Sequence, residues 1–123
     1  MQKPNSNLAF RITTVKQLLK IIRERLNGVY LRYCRYNLGL MYGEGKGVAQ
    51  DYKEEAKWHL LSAKQGYALA QQNFGLKYIK GRGVIQDFEE AYKWFFHASE
   101  QGNPIAQLNL GVLYYQGKGI GKY

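Results

Sequence analysis

The sequence predicts an all-α fold, an α-solenoid of helix–turn–helix units, and two observations carry that prediction. The first is a fixed period. Asn73-Phe74-Gly75-Leu76-Lys77-Tyr78, followed by Gly81-Arg82-Gly83-Val84, has an upstream twin in Asn37-Leu38-Gly39-Leu40-Met41-Tyr42 with Gly45-Lys46-Gly47-Val48. A downstream twin runs Asn109-Leu110-Gly111-Val112-Leu113-Tyr114 with Gly117-Lys118-Gly119-Ile120. The asparagines stand 36 residues apart both times, and a period of that size marks an array of supersecondary units. The second observation is punctuation. Helical patterns alternate with glycine stops, and Asp51 and Asp87 stand where caps are needed.

The composition fits one compact unit. The chain has 123 residues, 46% hydrophobic and 15% aromatic, which supplies a core and argues against disorder. No apolar run approaches the roughly 18 residues of a spanning helix, and no signal peptide is visible, so a cytoplasmic location is the default expectation. Cys34 is the single cysteine, which excludes an internal disulfide and a two-cysteine zinc site. The formal charge of +9 is unevenly placed. Residues 1–36 carry eight basic side chains against Glu24 alone, whereas the rest carries ten basic and eight acidic ones. The repeats are nearly neutral and the basic excess belongs to the N-terminal third.

In order, Met1 to Thr13 reads as a polar lead-in. From Thr14 to about Asn27, Val15, Leu18, Leu19, Ile22 and Leu26 recur at spacings of three and four, one face of an amphipathic helix. Thr14 is its candidate cap and Gly28 its candidate stop. Its polar face holds Lys16, Lys20, Arg23 and Arg25. Residues 1–30 are therefore expected to form a basic lead-in with a helix that caps the first repeat, because repeat arrays need a covered end. The competing reading is a module that acts on an anionic membrane surface or a nucleic acid through this helix.

Repeats are expected over 31–66, 67–102 and, in part, 103–123. Each opens with a short helix (about Leu31–Tyr42, Ala68–Ile79 and Pro104–Tyr115), and Gly43 to Gly47 stops the first. Longer second helices follow Asp51 and Asp87 and close at Gly66 and Gly102. Pro104 suits a first helical turn. Gly75 and its equivalents are placed mid-helix, where a glycine costs about 1 kcal/mol against alanine, so a neighbouring helix is expected to cross there. Trp58 and Trp94 are expected to fill the space between layers, and Tyr42, Tyr78 and Tyr114 to join them. Asn37, Asn73 and Asn109 are expected to bond backbone or one another across repeats.

The run Ala70-Gln71-Gln72-Asn73-Phe74-Gly75-Leu76-Lys77-Tyr78, Gly81-Arg82-Gly83-Val84 and Asp87-Phe88-Glu89-Glu90-Ala91-Tyr92-Lys93-Trp94 resembles the Sel1-like repeat, a relative of the tetratricopeptide repeat. The resemblance spans roughly residues 32 to 120. It implies a right-handed superhelix of about six helices and an adaptor that assembles protein complexes. The first unit departs from the pattern, with Glu55 where an alanine is expected and Cys34 in place of Ala70. A cysteine-rich branch of the family staples each repeat with a disulfide, which this chain cannot do.

No catalytic chemistry is legible. The glycines after Gly43 have phosphate-loop spacing but follow a helix instead of preceding one, and they recur at Gly81 and Gly117 as turns. His59 and His97 miss equivalent positions by two residues and lack partners at ligand spacing. Glu54-Glu55 and Glu89-Glu90 read as acids that favour the helix dipole in first turns, and Cys34 as a small apolar side chain. The expectation is a non-enzymatic protein without catalytic residues, metal or cofactor.

Function is expected on a surface. If the array curls, the first helices line its concave face, and the repeat phase places Tyr36, Leu40, Gln72, Leu76, Ile79, Lys80, Leu108, Val112, Tyr115 and Gln116 there. That set suits an extended peptide or a protein segment, and nucleic acid is not expected. Leu110, Leu113 and Tyr114 lack a following helix, so self-association through the last repeat is expected as well. The positions that vary between copies carry the specificity, such as Lys77 against Met41 and Leu113, or Ile79 against Gly43 and Tyr115.

Overall fold

Every regular element of the computed structural model is a helix, and residues 15–20 and 28–118 are described. Residues 15–20 are helical (α1). There follow α2 (Gly28–Glu44), α3 (Tyr52–Lys64), α4 (Ala68–Lys80), α5 (Phe88–Glu100) and α6 (Pro104–Gln116). The four helices from α3 to α6 have 13 residues each and α2 has 17. The expected alternation of short and long helices is therefore absent. α2 starts before Leu31, at Gly28 (φ 64°), and continues through Gly43 to Glu44. Gly43 does not stop the helix: the left-handed residue that follows α2 is Gly45 (φ 70°), and Gly43 instead leaves room for the Glu55 side chain. The stretch 21–27, which Gly28 was expected to close, lies outside the described residues, as does Thr14.

The caps form where the sequence places them. The Asp51 carboxylate accepts hydrogen bonds from the amides of Lys53 and Glu54, and Asp87 does the same for Glu89 and Glu90. Asn103 caps α6, accepting from the Ala106 amide at 2.8 Å, with Pro104 in the first turn. α4 and α6 end on left-handed glycines, Gly81 and Gly117, each at φ 68°.

Each helix packs on the next, α2 on α3 through to α5 on α6. A repeated polar tie joins α2 to the end of α3 and α4 to the end of α5. Arg35 donates to the Gln65 side chain at 2.7 Å, and Gln101 donates to Gln71, the equivalent of Arg35, at 2.9 Å. Two apolar clusters result. One gathers Ala91, Phe95, Ala98, Ala106 and Leu113. The other joins Val15 of α1 to Leu38 of α2, with Leu19, Cys34, Tyr42 and Trp58 around them. Burial pushes the Cys34 thiol pKa up, as suits a packed apolar side chain.

The space between helices is filled by residues next to the tryptophans. A Cβ on Gly75 would lie 2.6 Å from the Phe95 ring, and one on Gly39 would meet the His59 ring. His59 and Phe95 are equivalent positions, 36 apart, and both are fully buried. Trp58 and Trp94 stay half-buried at the edge of the layer, Trp94 meeting Phe74 edge-on at 5.4 Å. Tyr78 packs on Phe74 and Tyr42 joins the Val15–Leu38 cluster. Tyr114, expected in the same layer, is 68% exposed because no described helix follows α6.

Candidate groove along the first helices

Two hollows lie beside α4. The first, about 190 Å³, is formed by Leu40 and Glu44 of α2, Glu55 of α3, Asn73, Leu76, Lys77 and Lys80 of α4, and Arg82. The second, about 250 Å³, is formed by Leu76 and Ile79 of α4, Phe88 and Phe95 of α5, Asn109, Val112, Leu113 and Gln116 of α6, and Lys118. Leu76 is the wall between them. α2, α4 and α6 thus share a lined surface, although their positions came from sequence segments 36 residues apart.

The two hollows differ in chemistry. Phe95, which lines the second, belongs to a buried stripe of α5 with Ala91 and Ala98. The equivalent positions of α3 are Glu55, His59 and Ser62, equally buried. Spacings of four and three put each set on one helix face, so the first junction replaces an apolar stripe with a polar one. Each polar group has a partner. Ser62 donates to the Arg32 carbonyl at 2.6 Å. His59 Nε2 lies 3.1 Å from the Tyr36 carbonyl, so it carries the proton and donates. Glu55 meets Lys77 at 3.3 Å and Arg82 at 3.3 Å. The first-turn carboxylate at 55 is therefore a buried ion-pair member and not a solvated dipole partner. Glu54 keeps the exposed role, 4.0 Å from Lys57.

Burial shapes the titration of this cluster. His59 is pushed down to about 3, first by desolvation and then by the positive charge of Lys77, so it is neutral at physiological pH. Its Nδ1 is buried without a hydrogen-bond partner. Desolvation also lowers Lys77, against the opposing pull of Glu55. Arg82 lies with its guanidinium 4.0 Å from the Tyr52 ring centroid, a cation–π contact that fixes its approach to Glu55.

The expected groove residues divide among these surroundings. Leu40, Leu76 and Lys80 line the first hollow. Leu76, Ile79, Val112 and Gln116 line the second. Tyr36 packs elsewhere, stacked on His59 at 5.0 Å and edge-on to Tyr67 at 5.3 Å. Gln72 is buried, at 7% exposure. Leu108 and Tyr115 project outward, Tyr115 at 91% exposure. Of the asparagines, Asn73 donates to the Tyr36 hydroxyl at 2.8 Å. The expected bonding of one amide to another across repeats is not what holds it. Leu113, expected to be uncovered, is only 4% exposed because it faces back onto α5. Tyr114 is exposed as expected, and the other exposed apolar groups of α6 are Ile105, Leu108, Val112 and Tyr115.

Glu55, Lys77 and Arg82 were missed as residues lining the first hollow, and His59 as the buried side chain behind them. A signal existed. Aligned at 36 residues, Glu55 and His59 stand against Ala91 and Phe95, and Gly43 and Lys77 against Ile79 and Leu113.

The Sel1 repeat model matches residues 32–67, 68–103 and 104–122. Two solved structures are similar over most of the chain. One is c5321, a protective antigen present in uropathogenic Escherichia coli strains and displaying an SLR fold, with 37% identity and a TM-score of 0.80 over 89% of this chain and 22% of that one. The other is a Sel1 repeat protein from Oxalobacter formigenes, with 29% identity and a TM-score of 0.80 over 90% of this chain and 44% of that one. The chain thus spans less than half the length of either. No curated protein matches. Sel1-repeat proteins generally mediate protein–protein interactions and are typically non-catalytic scaffolds. With three matched copies in phase and a helical array to house them, this chain belongs to the Sel1 repeat family.

Proposed function

We propose that the protein is a non-enzymatic adaptor whose first helices bind a peptide or protein segment along the concave face of the array. The observation that carries this reading is the pair of adjoining hollows on either side of Leu76. They offer apolar walls from Leu40, Leu76, Ile79 and Val112, with the amides of Asn73 and Asn109 between them. Alternate apolar walls and fixed amides suit an extended segment, whose side chains and backbone need both. Gln116 lines the second hollow and Leu108 and Tyr115 stand exposed on the same helix, whereas Tyr36 and Gln72 pack away from both hollows. Selection of displayed peptides on the wild-type chain, followed by binding to Leu76→Glu and Tyr115→Ala, tests the reading. Leu76→Glu is expected to abolish binding and Tyr115→Ala to weaken it. Unchanged binding in both overturns the groove assignment.

The free face of α6 belongs to the same reading as a self-association surface. A Cβ on Gly111 would meet nothing within 4 Å, whereas its counterparts Gly39 and Gly75 are filled by His59 and Phe95. A monomer mass by light scattering at high concentration, without binding of an apolar dye, removes this part. The helix at 15–20 is assigned as a cap on the first repeat, and the burial of Val15 against Leu38, with Leu19 beside it, supports that assignment. The same contact weighs against a membrane-surface or nucleic-acid role for these residues, since their apolar side chains are already engaged. Lys16 and Lys20 are exposed, and Arg23 and Arg25 lie outside the described residues.

A further inference from the structure

The polar character of the first hollow has a chemical consequence. Its walls carry three cations, Lys77, Lys80 and Arg82, against two carboxylates, Glu44 and Glu55. The lining therefore sums to one positive charge. The carboxylates are already engaged. Glu44 is 3.2 Å from Lys46, a pair exposed to solvent, and Glu55 is shared by Lys77 and Arg82. Lys80 makes no ion pair among the described residues and stands at the exposed mouth. The second hollow is walled mainly by Leu76, Ile79, Phe88, Val112 and Leu113, and its one cation, Lys118, is held over the Phe88 ring at 4.8 Å. Next to each other, the two present a cationic recess and an apolar one.

We propose that the first hollow takes a single carboxylate from the bound segment, so that the groove selects an acidic side chain adjoining a bulky apolar one. The inference rests on the groove reading above and names what that groove prefers. Lys80, free of a partner, meets the incoming carboxylate, while Asn73 offers a side-chain amide beside it. Glu55 is 95% buried, and its Oε1 has the Arg82 Nε at 3.3 Å in ion-pair contact without a hydrogen bond. Its charge opposes any ligand with more than one negative charge. A single carboxylate matches Lys80, the one cation of this lining that makes no ion pair among the described residues. Charge-assisted bonds in a half-enclosed recess are stronger than those on open surface, and like-charge contact with the wrong partner rejects it.

A library of random peptides displayed on phage, selected on the full chain, provides the probe. Peptides whose binding is lost in Leu76→Glu are expected to be enriched in Asp or Glu beside an aromatic or aliphatic residue. Changing that acid to its amide is expected to weaken binding roughly tenfold on the wild type and to strengthen it on Lys80→Glu, where two carboxylates would otherwise meet. Lys80 is exposed, so that variant leaves the fold intact. Groove-dependent peptides without an acidic position, or ones indifferent to Lys80→Glu, overturn the carboxylate assignment and leave the groove standing. Tighter binding after phosphoserine replaces the acid overturns it in favour of a phosphate. Selected peptides that bind Leu76→Glu as well as wild type, or no selected peptide at all, overturn the groove itself.

Discussion

The two junctions of this array solve the same packing problem with opposite chemistry. At α4–α5, the notch of Gly75 is filled by Phe95, flanked by Ala91 and Ala98. At α2–α3, the notch of Gly39 is filled by His59, flanked by Glu55 and Ser62. The change is compensated around its edge. Gly43 replaces Ile79 to make room for the Glu55 carboxylate, and Lys77 replaces Leu113 to neutralise it. Burying an ion pair gains little over a packed apolar pair, since desolvation offsets much of the attraction. The lesson is that the scaffold tolerates the exchange because backbone geometry is set by glycine notches and caps, which both junctions share. The polar version keeps charge at the base of a hollow, where the apolar version cannot.

That comparison breaks most visibly if one member of the polar set is removed alone. Glu55→Ala strands Lys77 in the interior and is expected to cost about 3–5 kcal/mol. Adding Gly43→Ile and Lys77→Leu copies the second junction and is expected to recover most of the loss, measured by urea unfolding. No recovery would show that the two junctions are not interchangeable. Phe95→Ala is expected to cost a similar amount, about 3–5 kcal/mol, through the cavity it leaves.

Acid sharpens the contrast. His59 has a folded pKa near 3 against 6.5 for the free side chain. Between those values the unfolded chain binds a proton that the folded chain does not. Stability therefore falls as pH drops through that window, by at most about 1.4 kcal/mol per pH unit from this group. His59→Phe, which copies Phe95, is expected to remove that part of the acid limb. Subtracting the two pH profiles isolates it from the carboxylates, and identical profiles would sink the assignment.

Glycine gives the next contrast. Gly75→Ala drives a Cβ into the buried Phe95 ring and is expected to cost about 1–3 kcal/mol. Gly111→Ala meets no neighbour and is expected to gain up to about 1 kcal/mol through helix propensity. Thermal unfolding of the two variants reads the difference directly. A destabilised Gly111→Ala would mean that something covers α6 in solution.

Local chemistry was legible from the chain alone. The 36-residue period, the Asp51 and Asp87 caps, Pro104 and the glycine turns each depend on residues within a few positions of one another, so the sequence determined the helices, their order and the repeat family. Leu40, Leu76, Ile79, Lys80, Val112 and Gln116 also followed from phase, because equivalent positions on equivalent helices face the same way. What only the tertiary structure decided is which of those positions meet something. Gln72 and Leu113 turned inward, Tyr115 outward, and Glu55 reached Lys77 across 22 residues of chain. A first-turn glutamate looks the same in sequence whether it is solvated or paired. Its role depends on what the adjacent helix offers at 3 to 4 Å, and that is set only when the helices pack.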